Sequence, residues 1–284
     1  MPPSSDRFCR ELTLPDGRTL SYADVGDPAG RPIVLMHGSP SSRLDAEWLD
    51  EAAARAGWRL LAPDRPGHGR SSPQPGRRVL DWPIDVLGLI DQVIGKGRSA
   101  TPIALLGFSG GAPYALATAY LLPDRVSTVA IVSGWGPPDR PGAYDGVARS
   151  ERCFDAATRR APFVTRAVLG LTGVALRRQP GLAGAFLGGE VRLDPLAEAL
   201  RQGPAGPTDD LRLIVRPWGF PLGAVSVPTA IWHGDRDLEI PLHHAEFMAR
   251  VIPDATIEVV AGADHLLLFS HADQILQTLA DRIG

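Results

Sequence analysis

Two cysteines in 284 residues are too few for a disulfide framework. Cys9 and Cys153 lie far apart and follow no metal-ligand or redox spacing, so both read as ordinary thiols, with one bridge between them as the lesser alternative. Long apolar runs are missing too. No segment supplies the roughly 18 uninterrupted apolar residues of a membrane helix, and the opening Met1-Pro2-Pro3-Ser4-Ser5-Asp6-Arg7 lacks the apolar core of a signal peptide. A cytoplasmic chain with no membrane role is the expectation. Neither sign of charge dominates: 29 Lys and Arg stand against 32 Asp and Glu. The formal charge of -3 offers no general attraction to a phosphate backbone, which argues against a nucleic-acid partner and for a small-molecule substrate. Oligomeric state leaves no signature.

What is present is material for one large core. Hydrophobic residues make up 44% of the chain, and its length suits one α/β domain with an insertion rather than two enzyme domains. From Phe8 to Asp24 apolar and polar residues alternate around Pro15-Asp16-Gly17-Arg18, which predicts a hairpin. Strand-then-helix units follow: Ile33–Met36 with Leu44–Ala56, Arg59–Ala62 with Trp82–Ile94, and Ile103–Leu106 with Ala112–Leu122. Val126–Val132 adds a strand, and the last pairs are Thr229–Trp232 with His243–Val251, then Thr256–Val260 with His271–Ile283. Such alternation calls for right-handed crossovers and a mainly parallel sheet, here of eight strands, covered by helices on both faces. Between 134 and 227 the alternation lapses into a Gly-, Pro- and Arg-rich stretch with short helices, including Arg149–Arg160 and Pro195–Gln202. We read 8–133 and 228–284 as the core and 134–227 as an inserted helical cap.

Gly107-Phe108-Ser109-Gly110-Gly111 matches G-x-S-x-G between a strand and a helix, the context that motif requires. A nucleophile raised on a tight turn crowds its neighbours, so small residues must flank it. A helix cap or an anion-binding loop is the competing explanation for such a turn. With this motif the chain resembles the α/β-hydrolase superfamily over nearly its whole length. The resemblance is also carried by His37-Gly38-Ser39-Pro40, similar to the family's oxyanion loop, and by Asp64-Arg65-Pro66-Gly67-His68-Gly69-Arg70-Ser71, similar to its turn after the fourth strand.

The resemblance implies a serine hydrolase with a Ser-His-Asp triad, no cofactor and no metal. Ser109 would be the nucleophile, and His265, in the Gly262-Ala263-Asp264-His265 loop after the last strand, the base. The loop Gly234-Asp235-Arg236-Asp237-Leu238-Glu239-Ile240-Pro241 offers three carboxylates. Asp237 is preferred because the family's acid lies four residues before this proline, with Asp235 expected to bind loop amides and Glu239 to face solvent. The oxyanion hole would use the amides of Gly110 and Ser39, with the Ser39 hydroxyl as a possible aid. His37, Asp64, Arg65 and His68 are assigned structural work.

Phe108, Trp135, Trp218 and Phe220 are the expected substrate-pocket residues, with Phe154, Phe163 and Phe186 as further aromatic candidates, although any of them could be cap core. Dehalogenases and epoxide hydrolases carry Asp at the elbow, so Ser109 argues against both. Proline iminopeptidases share the loop but have acidic caps. Here Arg149, Arg152, Arg159, Arg160, Arg166, Arg177 and Arg178 outnumber Glu151 and Asp155, a run read mainly as solvated helix faces. The resulting expectation is an esterase-like hydrolase of a small, largely apolar molecule. A thioesterase, a carbon–carbon bond hydrolase and a weakly catalytic ligand receptor remain open on the same fold.

Overall fold

The computed structural model describes residues 5–95, 101–178 and 193–282. Strands β1 (Arg10–Thr13) and β2 (Thr19–Gly26) form the expected hairpin, and β3 (Arg31–Met36), β4 (Trp58–Pro63), β5 (Ile103–Phe108), β6 (Val126–Val132), β7 (Thr229–Gly234) and β8 (Ala255–Val260) complete one sheet. Its order is β1-β2-β4-β3-β5-β6-β7-β8. Pairing is antiparallel for β1 with β2 and β2 with β4, and parallel from β4 to β8.

Period-2 alternation along the central strands builds two cores. Val34 and Met36 of β3 and Leu105 of β5 face helices α2 (Trp82–Val93) and α3 (Ala112–Leu121). Ile33, Leu35, Ala104 and Leu106 face the other way, onto α1 (Asp50–Arg55) and the C-terminal helices. Fully buried strands need such residues on both sides. The edge strand β8 departs from this pattern, with Ile257 and Val259 exposed.

Between β6 and β7 the chain leaves the sheet through α4 (Arg149–Arg160), α5 (Pro162–Arg178), α6 (Leu193–Ala199) and α7 (Ala205–Ile214). No strand occurs there among the described residues. Leu169 and Leu176 of α5 pack on Leu196 and Leu200 in a small core of their own. After β7 come α8 (His243–Val251), then α9 (Leu267–Ser270) and α10 (Ala272–Asp281). One expected helix is broken. Leu44–Ala56 divides into a 3₁₀ turn, Arg43–Trp48, and α1, because Leu49 N–H bonds Ala46 O three residues back. The C-terminal helix stands as expected, as α10, with the short α9 added before it.

Chain order reverses at β3, with β4 on one side and β5 on the other, so the carboxyl ends of β3 and β5 open a crevice at the switch point. Both motif loops start there. Cys9 and Cys153 are free thiols. Among the described residues no helix is long and apolar enough to cross a membrane.

Candidate active site

Ser109 begins the turn that joins β5 to α3, and its backbone is left-handed at φ 50°, a conformation a non-glycine residue adopts only where its surroundings impose it. The imposing contacts are close. A side chain at Gly111 would strike the carbonyl oxygen of Met36, and one at Gly110 would lie 2.8 Å from the Ser39 Cβ and 2.9 Å from Ile214 Cδ1. The elbow is therefore wedged between the β3 loop and the last residue of α7.

Ser109 Oγ lies 3.0 Å from His265 Nε2, and His265 Nδ1 lies 2.9 Å from Asp237 Oδ2. All three side chains are buried. Asp237 is held in its own loop, since its Oδ1 accepts the amides of Glu239 at 2.9 Å and Ile240 at 2.8 Å. Burial alone would raise the Asp237 carboxyl, but the hydrogen bond and charge of His265 hold it below the ordinary aspartate range. Burial would likewise depress His265, yet the Asp237 bond and the nearby charges of Asp237 and Glu239 lift it above the ordinary 6.5. Asp235 turns away and accepts the Gly262 amide at 2.6 Å. Of the two aspartates, Asp237 is the one that faces the imidazole.

Glu239 does not simply face solvent. Although its side chain is 66% exposed, Oε2 lies 3.5 Å from His265 Nε2, beside the serine. Glu151, in the first turn of α4, is near enough for Glu239 and His265 to influence its titration, after burial, which pushes it up. Asp155, one turn further along, is buried and raised to about 6, first by burial and then by Glu151.

Neither the Ser39 nor the Gly110 N–H has an intramolecular acceptor among the described residues. Phe108 forms the wall beside the base, its ring 5.4 Å from the His265 ring and 5.0 Å from that of Phe269. Trp135 meets His244 edge-on at 4.9 Å and Tyr144 at 6.4 Å, where the chain enters the insertion. Two expected pocket residues are corrected. Trp218 is buried in the α2/α3 core, donates Nε1–H to Ile214 O at 3.2 Å, and lines an outer cleft of about 520 Å³ with Arg77 and Arg212. Phe220 stacks on Tyr120 at 5.3 Å, eight residues along α3 from Ala112 and hence about 12 Å down that helix from the elbow. Both rings serve packing because the chain has already turned back toward β7. Phe163 is exposed. Phe186 lies outside the described residues.

Sequence reasoning missed Asp210, a residue of α7 with no exposed surface. Its Oδ1 accepts Arg65 Nε at 2.9 Å, Arg77 Nη2 at 2.7 Å and Tyr114 OH at 2.7 Å. Its Oδ2 accepts Arg65 Nη2 at 2.8 Å and Ser39 Oγ at 2.6 Å. Burial opposes this charge, but Arg65 and Arg77 keep the carboxyl well below its usual range. No local pattern marks an aspartate whose partners lie 96 to 171 residues away. His37 is buried, with Nδ1 2.8 Å from Gly38 O, and burial together with Arg65 holds it well below 6.5. Asp64 accepts Arg43 N and Ser21 Oγ, both at 2.7 Å, which ties the turn together as expected.

Residues 33–278 match the alpha/beta hydrolase family. The chain belongs to that family. A non-heme haloperoxidase of Rhodococcus erythropolis is 27% identical over 93% of the chain and 95% of its own length. The acetyltransferase component of the acetoin cleaving system of Pseudomonas putida is 30% identical over 93% of the chain, which spans only 66% of that protein. The chain covers 35% of epoxide hydrolase B of Mycobacterium tuberculosis, at 35% identity. Among solved structures, an esterase of Thermogutta terrifontis superposes with TM-score 0.67 at 24% identity, covering 96% of this chain and 97% of its own. A bromoperoxidase of Bacillus anthracis superposes with TM-score 0.69 at 21% identity, covering 97% of this chain and 99% of its own. These likenesses carry the fold, and the chain is a hydrolase of this superfamily.

Proposed function

We propose that the protein cleaves a carboxylic ester or related acyl bond of a small, largely apolar molecule through an acyl-enzyme. The hydrogen-bonded chain Ser109 Oγ, His265 Nε2 and Nδ1, Asp237 Oδ2, at 3.0 and 2.9 Å, carries this reading. Ser109 attacks the carbonyl carbon while His265 takes its proton. Asp237 fixes the imidazole tautomer and stabilises the imidazolium. The amides of Ser39 and Gly110 receive the negative charge that develops on the carbonyl oxygen. The proton passes from His265 to the leaving group, and water, deprotonated by the same imidazole, then releases the acyl group.

The insertion acts as a cap, with Phe108, Trp135 and Ile214 beside the acyl pocket. Glu151 and Glu239 give its mouth a negative rim, so neutral or cationic esters are preferred over anionic ones. A fluorophosphonate probe followed by peptide mass spectrometry tests the assignment: one adduct on Ser109 is expected, and an adduct on Ser39 or Ser133 would transfer the nucleophile elsewhere.

A second reading draws on the name of the Rhodococcus relative. Hydrogen peroxide in place of water at the acyl-enzyme would release a peracid, an oxidant for halide. Halide oxidation that requires both peroxide and a carboxylic acid, and that fails in Ser109→Ala, supports this route.

A further inference from the structure

We propose that Asp210 is a positioning residue that sets the oxyanion hole from within the insertion, acting through Arg65 and Ser39. The inference rests on the acyl-transfer reading above.

The argument begins with one peptide plane. Gly38 C=O and Ser39 N–H belong to the same trans peptide, so fixing the direction of the carbonyl fixes the opposite direction for the N–H. Arg65 performs that fixing: Nη2 donates to Gly38 O at 2.9 Å, and Nη1 donates to His37 O at 2.6 Å. The preceding plane is thereby held as well. Arg65 Nη2 also lies 2.6 Å from Ser39 Oγ, whose own hydrogen is directed to Asp210. The hydroxyl is occupied by Arg65 and Asp210. Its contribution is therefore to orientation, and the backbone N–H is the donor left for the oxyanion.

A guanidinium can aim at two carbonyls only if its own plane is held. Asp210 holds it through Nε and Nη2, a two-pronged contact that a lysine could not reproduce. Arg77 and Tyr114 fix the carboxylate in turn, and Tyr114 lies on α3, the helix that starts at the elbow. One buried anion thus touches the oxyanion loop, the turn after β4 and the nucleophile helix, while being carried by a segment outside the sheet. Ion pairs with no exposed surface give little net stability over apolar packing, so stability alone is a weak reason for so many donors to converge. Geometry is the better reason. A displacement of about 1 Å at a donor costs about 10²-fold in rate.

Ser39→Ala is the cleanest test, because it keeps the backbone amide and the Arg65–Asp210 pair. Paired with Asp210→Asn and the double variant, it should be assayed for kcat, for KM on a short ester, and for affinity toward a boronic acid that mimics the tetrahedral adduct. We expect kcat and boronate affinity to fall together, about tenfold for Ser39→Ala and about 10²-fold for Asp210→Asn, with KM changed less than threefold. The double variant should be no worse than Asp210→Asn. Stoichiometric fluorophosphonate labelling of Ser109 should persist in Ser39→Ala, which separates a misplaced hole from a wrong nucleophile. A Ser39→Ala enzyme within twofold of wild type in kcat and boronate affinity would overturn the proposal, as would additive losses that appear in KM. If Asp210→Asn does not fold, Ser39→Ala decides alone.

Discussion

The sheet and the insertion handle charge in opposite ways. In the sheet, the polar groups proposed for catalysis sit at the carboxyl ends of strands: Ser109 after β5, Asp237 after β7 and His265 after β8. In the insertion, Arg149, Arg152, Arg160, Arg166, Arg177 and Arg178 are exposed, while Asp155 and Asp210 are buried and Glu151 is half-buried. Most of these arginines belong to solvent, whereas Glu151, Asp155 and Asp210 are drawn inward and Asp194 and Asp209 stay exposed. The arginine run thus forms the solvated helix faces expected from the sequence, and its net sign says nothing of the acids buried beneath it.

Removing the nucleophile is the strongest way to sharpen this contrast. Ser109→Ala should lower turnover of an activated ester by about 10⁶ with an unchanged thermal midpoint. Loss of fold instead would show that the elbow is needed for the core. Next comes the acid. Asp237→Asn should cost about 10⁴ in kcat, whereas Asp235→Asn, which keeps an oxygen to accept the exposed Gly262 amide, should stay within about tenfold. A reversed order would move the acid to Asp235.

Effects in the insertion are expected to be smaller and of a different kind. Trp218→Ala should lower stability by about 3 kcal/mol through the cavity left in the α2/α3 core. The ratio of rates on short and bulky esters should not change, and a changed ratio would restore Trp218 to the pocket. The smallest effect concerns pH. Because His265 must be neutral to accept a proton, and is lifted above 6.5, kcat/KM should fall on acidification with a midpoint above 6.5. Glu239 contributes to that lift, so Glu239→Gln should move the midpoint down with a plateau within a few-fold of wild type, and should improve rates on anionic esters relative to neutral ones. An unmoved midpoint would remove Glu239 from the field at the imidazole.

The same division explains what could be read from the chain. The nucleophile turn, the hairpin, the strand-helix alternation and helix α4 are local patterns, and local patterns are visible in one sequence. The choice of Asp237 over Asp235 needed a family spacing, because both carboxylates follow the same strand. Trp218 and Phe220 were misjudged since nearness to the return strand says nothing of which side of α3 a ring will meet. Asp210 was invisible for a stronger reason: its meaning lies wholly in partners from three other segments. His233 shows a milder case, a buried ring near the acid loop with Nε2 2.8 Å from Ile240 O.

The placement of the insertion has a consequence in time as well as in space. Synthesis runs from the nucleophile toward the base, and 156 residues separate Ser109 from His265. At about 5–20 residues per second the ribosome needs about 8–30 s to cross that interval. For most of it the hydroxyl is present while β7 and β8, the strands whose loops carry the proposed acid and base, are not yet complete. A nascent chain can therefore pair β3, β4, β5 and β6 around the serine without being able to acylate it. If the proposed triad is right, reactivity arrives with the last strands, and the growing polypeptide cannot turn over an ester before its own translation is nearly over.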